Sequence, residues 1–356
     1  MSMPGMSKTD LRSRRVAILS PVAWRTPPRA YGAWETVASN ITEGLNARGW
    51  KNLTLFATAD SVTSAKLHAV IEKGYEEDRS QLPKVAECLH ISELMEHAEE
   101  FDLIHNNFDF LPLTYSRMID TPMLTTIHGF SSPELLKVYR KYKETYFVSI
   151  SDADRDSELP YVATVHNGID LSNLTFRAEP GEALVFLGRI HRDKGTHLAI
   201  EVARAVGREL IIAGIIQDED YFDNALRPHI NGSSIQYIGP VNPVQRDALF
   251  ERAYAVIHLN TIPERFGLVM AESMAAGVPV IAMDLGSCRE VIDNGRTGYL
   301  VDDVDQAIDA VGRIDRIDRK QCRRHVEQNF TIERMAASYE KVYEEVFGRE
   351  AEKGTA

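Results

Sequence analysis

Pro263-Glu-Arg-Phe-Gly-Leu-Val-Met-Ala-Glu-Ser-Met-Ala-Ala-Gly-Val-Pro-Val-Ile281 sets a polar turn, a helix start and a buried strand in immediate succession. Pro263 and Gly267 bracket the turn, and the spacing predicts a short helix over 268–276. Gly277 stands at the C-cap position before the apolar run 278–282. Glu264 therefore falls in the loop, and Glu272 falls one helical turn in from Leu268. Both carboxylates can border a ligand resting on the helix N-terminus, where free N–H groups favour an anion.

Two acids beside an anion site call for a ligand that carries phosphate and hydroxyls together. The helix end takes the charge, and the carboxylates accept hydrogen bonds from the hydroxyls. A nucleotide-sugar meets that description. These residues resemble the Glu-x7-Glu motif of retaining glycosyltransferases of family 4, with Glu264 and Glu272 as the two acids. The resemblance implies that Glu264 holds the donor sugar's hydroxyls and Glu272 the ribose. It also implies that the backbone amides of Phe266, Gly267 and Leu268 touch the distal phosphate.

The chain has 356 residues, a length that favours two domains of ordinary size. Its formal net charge of −12 argues against a nucleic-acid partner, which demands clustered Lys and Arg. The three cysteines, Cys88, Cys288 and Cys322, show no Cys-x-x-Cys spacing, so neither a disulfide framework nor a zinc site is expected. Reduced thiols point to the cytoplasm. Residues 1–14 are polar and read as a leader outside the fold, not a signal peptide. No apolar stretch is long enough to span a bilayer, and the sequence leaves the oligomeric state open.

The apolar run 15–20 reads as a buried parallel strand opening the first domain. Trp24-Arg-Thr-Pro-Pro-Arg-Ala-Tyr-Gly-Ala-Trp-Glu35 reads as a loop, with a helix over 36–48. Loops at the C-terminal ends of parallel strands are where α/β proteins bind ligands. The family shows two adjacent glycines here, near the diphosphate and acceptor; this chain has Gly32 followed by Ala33. Trp24, Arg25 and Tyr31 are acceptor-side candidates, and Arg25 and Arg29 beside aromatics point to an anionic or ring-bearing acceptor. A strand is expected over 52–58, an irregular excursion with a helix or two over 60–84, and a helix over 91–100. Strands follow at 101–105, 122–127, 146–151 and 162–165, with a helix over 133–144; this alternation indicates βαβ units. Asn106 and Asn107 end one strand and are further acceptor-side candidates. His128-Gly129 ends another and resembles the family's Thr-x-His-Gly stretch, whose His lies beside the reacting sugar carbon. Asp152-Ala-Asp154 resembles a metal motif of a different glycosyltransferase fold. It is discounted, since it is read as opening a helix, where Asp is common.

The run from Asn167-Gly-Ile-Asp170 to Glu182 marks a boundary. Strands are expected at 183–187, 209–213, 234–238 and 255–259, and helices at 196–206 and 241–252. Gly188-Arg-Ile-His-Arg-Asp-Lys-Gly195 matches the family's diphosphate turn, with Arg189 and Lys194 as the cationic pair that stabilises a departing nucleoside diphosphate. The strand ending at Gly239 is where the family places the nucleobase. A last helix over 332–347 carries an apolar stripe, and in the family it crosses back to the first domain.

The motifs follow one another in the family's order. The resemblance therefore implies the α/β GT-B fold: two facing Rossmann-like doubly wound domains with a cleft between them. These are an acceptor-side domain over 15–170, joined by the crossover helix 331–348, and a nucleotide-sugar domain over 171–330. The implied activity is transfer of a hexose, glucose from UDP-glucose by family frequency, to a small-molecule or glycan acceptor with retained configuration. His128, Arg189, Lys194 and Glu264 are its expected catalytic residues, with no cofactor and no metal. The alternatives are a UDP-sugar epimerase or hydrolase of the same fold, and a non-catalytic nucleotide-sugar-binding module. A dinucleotide dehydrogenase is disfavoured, because no Gly-x-Gly-x-x-Gly follows the first strand.

Overall fold

The computed structural model describes residues 11–129 and 132–354. The chain divides into two compact units, one running to Gly168 and taking in the chain again from Ile332, the other spanning Ile169–Thr331. Each unit is a parallel sheet carrying helices, as the run of short apolar segments separated by helical ones requires.

The first unit opens with β1 (Val16–Leu19), α1 (Ala33–Ala47), β2 (Leu53–Phe56) and β3 (Lys66–His68). It continues through α2 (Pro83–Glu96), β4 (Leu103–Asn106), β5 (Met123–Ile127), α3 (Pro133–Lys141), β6 (Tyr146–Ser149) and β7 (Tyr161–Thr164). The sheet order is β3-β2-β1-β4-β5-β6-β7, with all pairs parallel. The second unit contains β8 (Ala183–Leu187), α4 (Thr196–Val206), β9 (Leu210–Ala213), β10 (Ile235–Tyr237), α5 (Pro243–Glu251) and β11 (Ala253–His258). Then come α6 (Leu268–Ala275), β12 (Val280–Met283), α7 (Cys288–Val291), β13 (Gly298–Val301), α8 (Val304–Val311) and α9 (Arg319–Asn329). Its order is β10-β9-β8-β11-β12-β13, again all parallel. The chain ends in α10 (Ile332–Lys353), which packs on α1 in the first unit.

In both sheets the strand order reverses beside the first strand, between β1 and β4 and between β8 and β11. Doubly wound sheets bind ligands at that reversal, outside the carboxyl ends of the strands.

Several boundaries differ from the sequence reading. Helix α1 starts at Ala33, directly after Gly32, so Trp34 and Glu35 are helical and not part of the loop. The segment expected to be irregular with helices holds an edge strand, β3, paired to β2. Helix α2 begins at Pro83, eight residues before the expected start, because Pro sits well at a first helical position where its missing N–H costs nothing. Asp152 and Asp154 lie in turns and do not open a helix. Of the polar leader, residues 1–10 lie outside the described residues, while Leu11 is buried and Arg12 pairs with Glu340 of α10 at 2.8 Å. Among the described residues no helix is long and apolar enough to cross a membrane.

Candidate functional site

The second unit builds its site where β8 and β11 run side by side. After β8 the turn 188–195 leads into α4, and Gly195 closes it with φ 65°. A Cβ there would stand 1.9 Å from the Leu259 carbonyl oxygen, so only glycine lets this turn lie against the end of β11. Thr261 N–H donates to the Asp193 carbonyl at 2.9 Å and stitches the two loops together. Gly286 performs the same service from the far side. Its Cβ would lie 2.2 Å from the Glu264 carbonyl oxygen, and Ser287 N–H donates to that oxygen at 3.0 Å.

The Glu264 side chain is thereby held among donors. Lys194 Nζ donates to its Oε2 at 2.7 Å and His258 Nε2 at 2.9 Å, and Asn260 Nδ2 donates to the same oxygen. Oε1 accepts the Arg265 N–H at 3.0 Å. Burial alone would raise this carboxyl, but the hydrogen bond from His258 and the charge of Lys194 outweigh it and hold it well below the usual carboxylate range. Glu264 is therefore a firmly ionised acceptor with a fixed orientation. His258 and Asn260 were read from sequence only as strand and loop; the signal available was two polar side chains closing an apolar run just before a buried acid.

The other expected residues are placed less uniformly. Arg189 reaches Asp193 at 3.2 Å and Gln217, so it lies on the same turn as Lys194 without sharing its partner. Glu272 is buried on α6 and its Oε1 accepts from Arg246 Nη1 of α5 at 2.6 Å. Burial pushes its carboxyl up while the Arg246 charge pulls it down. The carboxylate assigned to ribose thus already has an internal cation, one that the sequence reading left as an anonymous helical residue. The Phe266 ring is buried edge-on against Phe330, with centroids 5.7 Å apart, so this side chain is packing and only its backbone is available to a ligand. Gly267, at φ 77°, caps α6, and Leu268 is that helix's first residue. The N–H groups of this end are the orphan donors of the helix. Gly239 also has positive φ, and its carbonyl accepts from Gly214 N–H at 2.9 Å.

In the first unit, residues from α1, β4 and β5 gather at the other reversal. His128 Nε2 donates to Asn107 Oδ1 at 3.1 Å, and the His128 ring stacks on Trp34 with centroids 5.9 Å apart. Burial pushes His128 down to about 3, so its imidazole is neutral at pH 7. Asn106 is spent internally. Its Nδ2 donates to the Asp109 carbonyl at 2.7 Å and its Oδ1 accepts Phe108 N–H at 2.9 Å, which makes it a turn-former and not a free acceptor-binding side chain. Gly32 is the N-cap of α1, Trp24 meets Tyr31 edge-on, and Trp24 N–H donates to Glu35 Oε1 at 3.2 Å.

The two arginines expected near an anionic or ring-bearing acceptor differ in their partners. Arg29 is bound to Glu77 and, at 3.0 Å, to Asp60, while Arg25 Nε donates to the Pro27 carbonyl at 2.8 Å. Arg29's charge is therefore met within the protein. Glu35, overlooked in the sequence, is buried beneath this loop, and burial pushes its carboxyl up to about 7.

Residues 174–331 match the family model of glycosyl transferases group 1. The chain is 27% identical over 320 residues to a glycogen synthase of Mycobacterium tuberculosis, covering 80% of this chain and 73% of that protein. It is 27% identical over 236 residues to a phosphatidyl-myo-inositol mannosyltransferase of Mycobacterium leprae, covering 58% of this chain and 62% of that one. Its fold matches the crystal structure of Anabaena HepE in complex with UDP-glucose with a TM-score of 0.72 at 17% identity, over 92% of this chain and 99% of that one. The two doubly wound sheets give the chain the GT-B fold, and its residues 174–331 are similar to the glycosyl transferases group 1 family.

Proposed function

We propose that this enzyme moves a hexose from a nucleoside-diphosphate sugar, glucose from UDP-glucose, to a small-molecule or glycan acceptor with retention of configuration and without a metal. The observation that carries this is the convergence of Lys194, His258 and Asn260 on Glu264 at the carboxyl ends of β8 and β11, next to the N-terminus of α6. A carboxylate held this rigidly suits a sugar's hydroxyls. The ammonium and the helix end suit the diphosphate, whose growing charge as the sugar departs is met without a divalent ion.

The depressed carboxyl of Glu264 also speaks against a covalent glycosyl-enzyme on that residue. A strongly stabilised anion is a poor nucleophile, and two of its donors come from buried side chains that do not withdraw. Front-face attack is the remaining route, the departing phosphate taking the acceptor's proton. The choice of glucose rests on the UDP-glucose named for the Anabaena protein and on the glycogen synthase relative; mannose is the rival sugar.

Incubation with a nucleotide-sugar panel and acceptor pools tests the proposal, with products followed by mass spectrometry and NMR. A new glycoside with the donor's anomeric configuration, formed in EDTA, is the expected result. An inverted product, an absolute metal requirement or a trapped enzyme–sugar adduct overturns the mechanism. An altered sugar nucleotide indicates an epimerase, free sugar alone a hydrolase, and binding without turnover a binding module.

A further inference from the structure

Glu264 Oε2 collects three donors where a carboxylate oxygen commonly has room for two or three, and the donors differ in kind. Lys194 brings a charge on a flexible stem, with 18% of its side chain exposed; His258 is 8% exposed and fixed at the end of β11. Asn260 is fully buried and carries no charge. In this arrangement the Lys194 ammonium is committed to an internal anion. A diphosphate that recruits Lys194 must therefore draw it from Glu264, and the carboxylate stays behind, buried, with less compensation than before. An unpaired buried carboxylate is strongly unfavourable.

One neighbour can restore the balance. His258 Nε2 already lies 2.9 Å from Oε2, and since an ionised carboxylate only accepts, Nε2 carries the hydrogen and Nδ1 is left to receive a proton. The other groups around this carboxylate do not compete. Asn260 is neutral, and burial pushes the Cys288 thiol up to about 12. Asp284 pairs with Arg289 at 2.6 Å, and Arg189 pairs with Asp193 at 3.2 Å. The charges that bear directly on the His258–Glu264 hydrogen bond are Lys194 and Glu264 themselves.

We propose that His258 is a positioning residue that takes up one proton from solvent when a nucleoside diphosphate draws Lys194 away, so that Glu264 keeps its charge and its orientation toward the sugar. The inference rests on the donor-site reading given under Proposed function. No bond other than the N–H at Nδ1 is made, and the only other change is the exchange of Lys194 from carboxylate to phosphate.

Calorimetry with UDP, run in buffers of different ionisation enthalpy above the ordinary histidine pKa of about 6.5, reads the proton directly. Uptake approaching one proton per UDP is expected, with the His258 ring resonances moving to the imidazolium position on saturation. In His258→Asn the uptake disappears and UDP binds about tenfold more weakly, the scale of one lost hydrogen bond to a charged group. UDP binding without uptake and with unchanged His258 resonances overturns the role of His258 while leaving the donor site intact. Absence of UDP binding overturns the donor-site reading and this inference with it. Should the variant fail to fold, the uptake and ring resonances of the wild-type protein still decide.

Discussion

Lys194→Ala removes the ammonium in contact with Glu264, and Arg189→Ala removes a guanidinium held ready on the same turn by Asp193 and Gln217. Each is expected to lower turnover roughly 10²–10³-fold, the scale for losing one preorganised group at a developing charge. Steady-state kinetics with the identified donor checks this, and near-wild-type turnover in both variants removes the pair from the mechanism. Glu35 makes a different prediction. Its carboxyl stands at about 7 in the folded protein, above its unfolded value, so between those values the folded state binds more protons than the unfolded one. Stability contributed by the protonated form is present at low pH and is lost as pH rises through about 7. Glu35→Gln keeps a neutral side chain at all pH values and is expected to stabilise the first unit by roughly 3 kcal/mol at pH near 8. Urea unfolding followed by fluorescence isolates that unit, because Trp24, Trp34 and Trp50 all belong to it. Equal stability of variant and wild type at that pH contradicts the assignment.

At the scale of elements, the first unit depends on a helix that arrives from the far end of the chain. Tyr339 and Tyr343 of α10 are buried, and Tyr343 Oη hydrogen-bonds His105 Nδ1 at 2.7 Å while Tyr339 Oη meets Thr126 Oγ1 at 2.9 Å. Glu340 accepts from Trp50 Nε1 at 3.0 Å and pairs with Arg12 and Arg48. Helix α1 approaches α10 closely at Gly44, where a Cβ would lie 2.8 Å from Ile332 Cγ2 and 2.9 Å from Ala336 Cβ. Gly44→Ala gains up to about 1 kcal/mol in helix propensity yet meets two side chains, one of them a β-branched residue with little freedom to yield. The expected outcome is a net loss of about 1 kcal/mol or more, read as a lower urea midpoint. A raised midpoint shows that the helices separate at no cost. The start of α2 was missed because Val85 and Leu89 are exposed and its first two turns bury only Ala86 and His90, not the stripe of large apolar residues that announces a helix. The edge strand β3 is only three residues, with a polar surround, and no period can be read from so short a run.

For the whole molecule, pH acts on the first unit through five buried groups among the described residues. Burial pushes His90 down to about 4 and His105 and His128 down to about 3, and pushes Glu35 and Asp109 up to about 7. The histidines contribute stability that is present above their unfolded pKa of about 6.5 and lost as pH falls. The two carboxyls act in the opposite sense over much the same range, and near pH 4.5 each of the five effects is worth roughly 3 kcal/mol. Three histidines outweigh two carboxyls, so the first unit is expected to lose about 3 kcal/mol between pH 7 and 4.5 and to unfold more steeply below, once the carboxyls are fully protonated. In Glu35→Gln the compensation is partly gone, and the decline begins near pH 6.5. Tryptophan-monitored urea unfolding across this range checks both curves; a wild-type decline as steep as the variant's contradicts the compensation.

The sequence by itself determined the fold class and marked the candidate site residues. Apolar runs of strand length alternating with helical segments permit little but parallel sheets, and Gly188–Gly195 and Pro263–Ile281 carry their spacing in a few consecutive residues. Helix α4 begins and ends where the sequence reading put it, since glycines flank it on both sides. What only the tertiary structure decided is which charges meet. Lys194 and Glu264 are far apart in the chain and come within 2.7 Å because Gly195 lets one loop lie against the next strand's end. His258 and Asn260 acquire meaning only from that meeting, Glu272 is claimed by Arg246, and Arg29 by Asp60 and Glu77. Electrostatic partners are chosen by distance in space, which local periodicity does not encode, whereas strands and helices are chosen by the pattern of apolar residues along the chain, which it does.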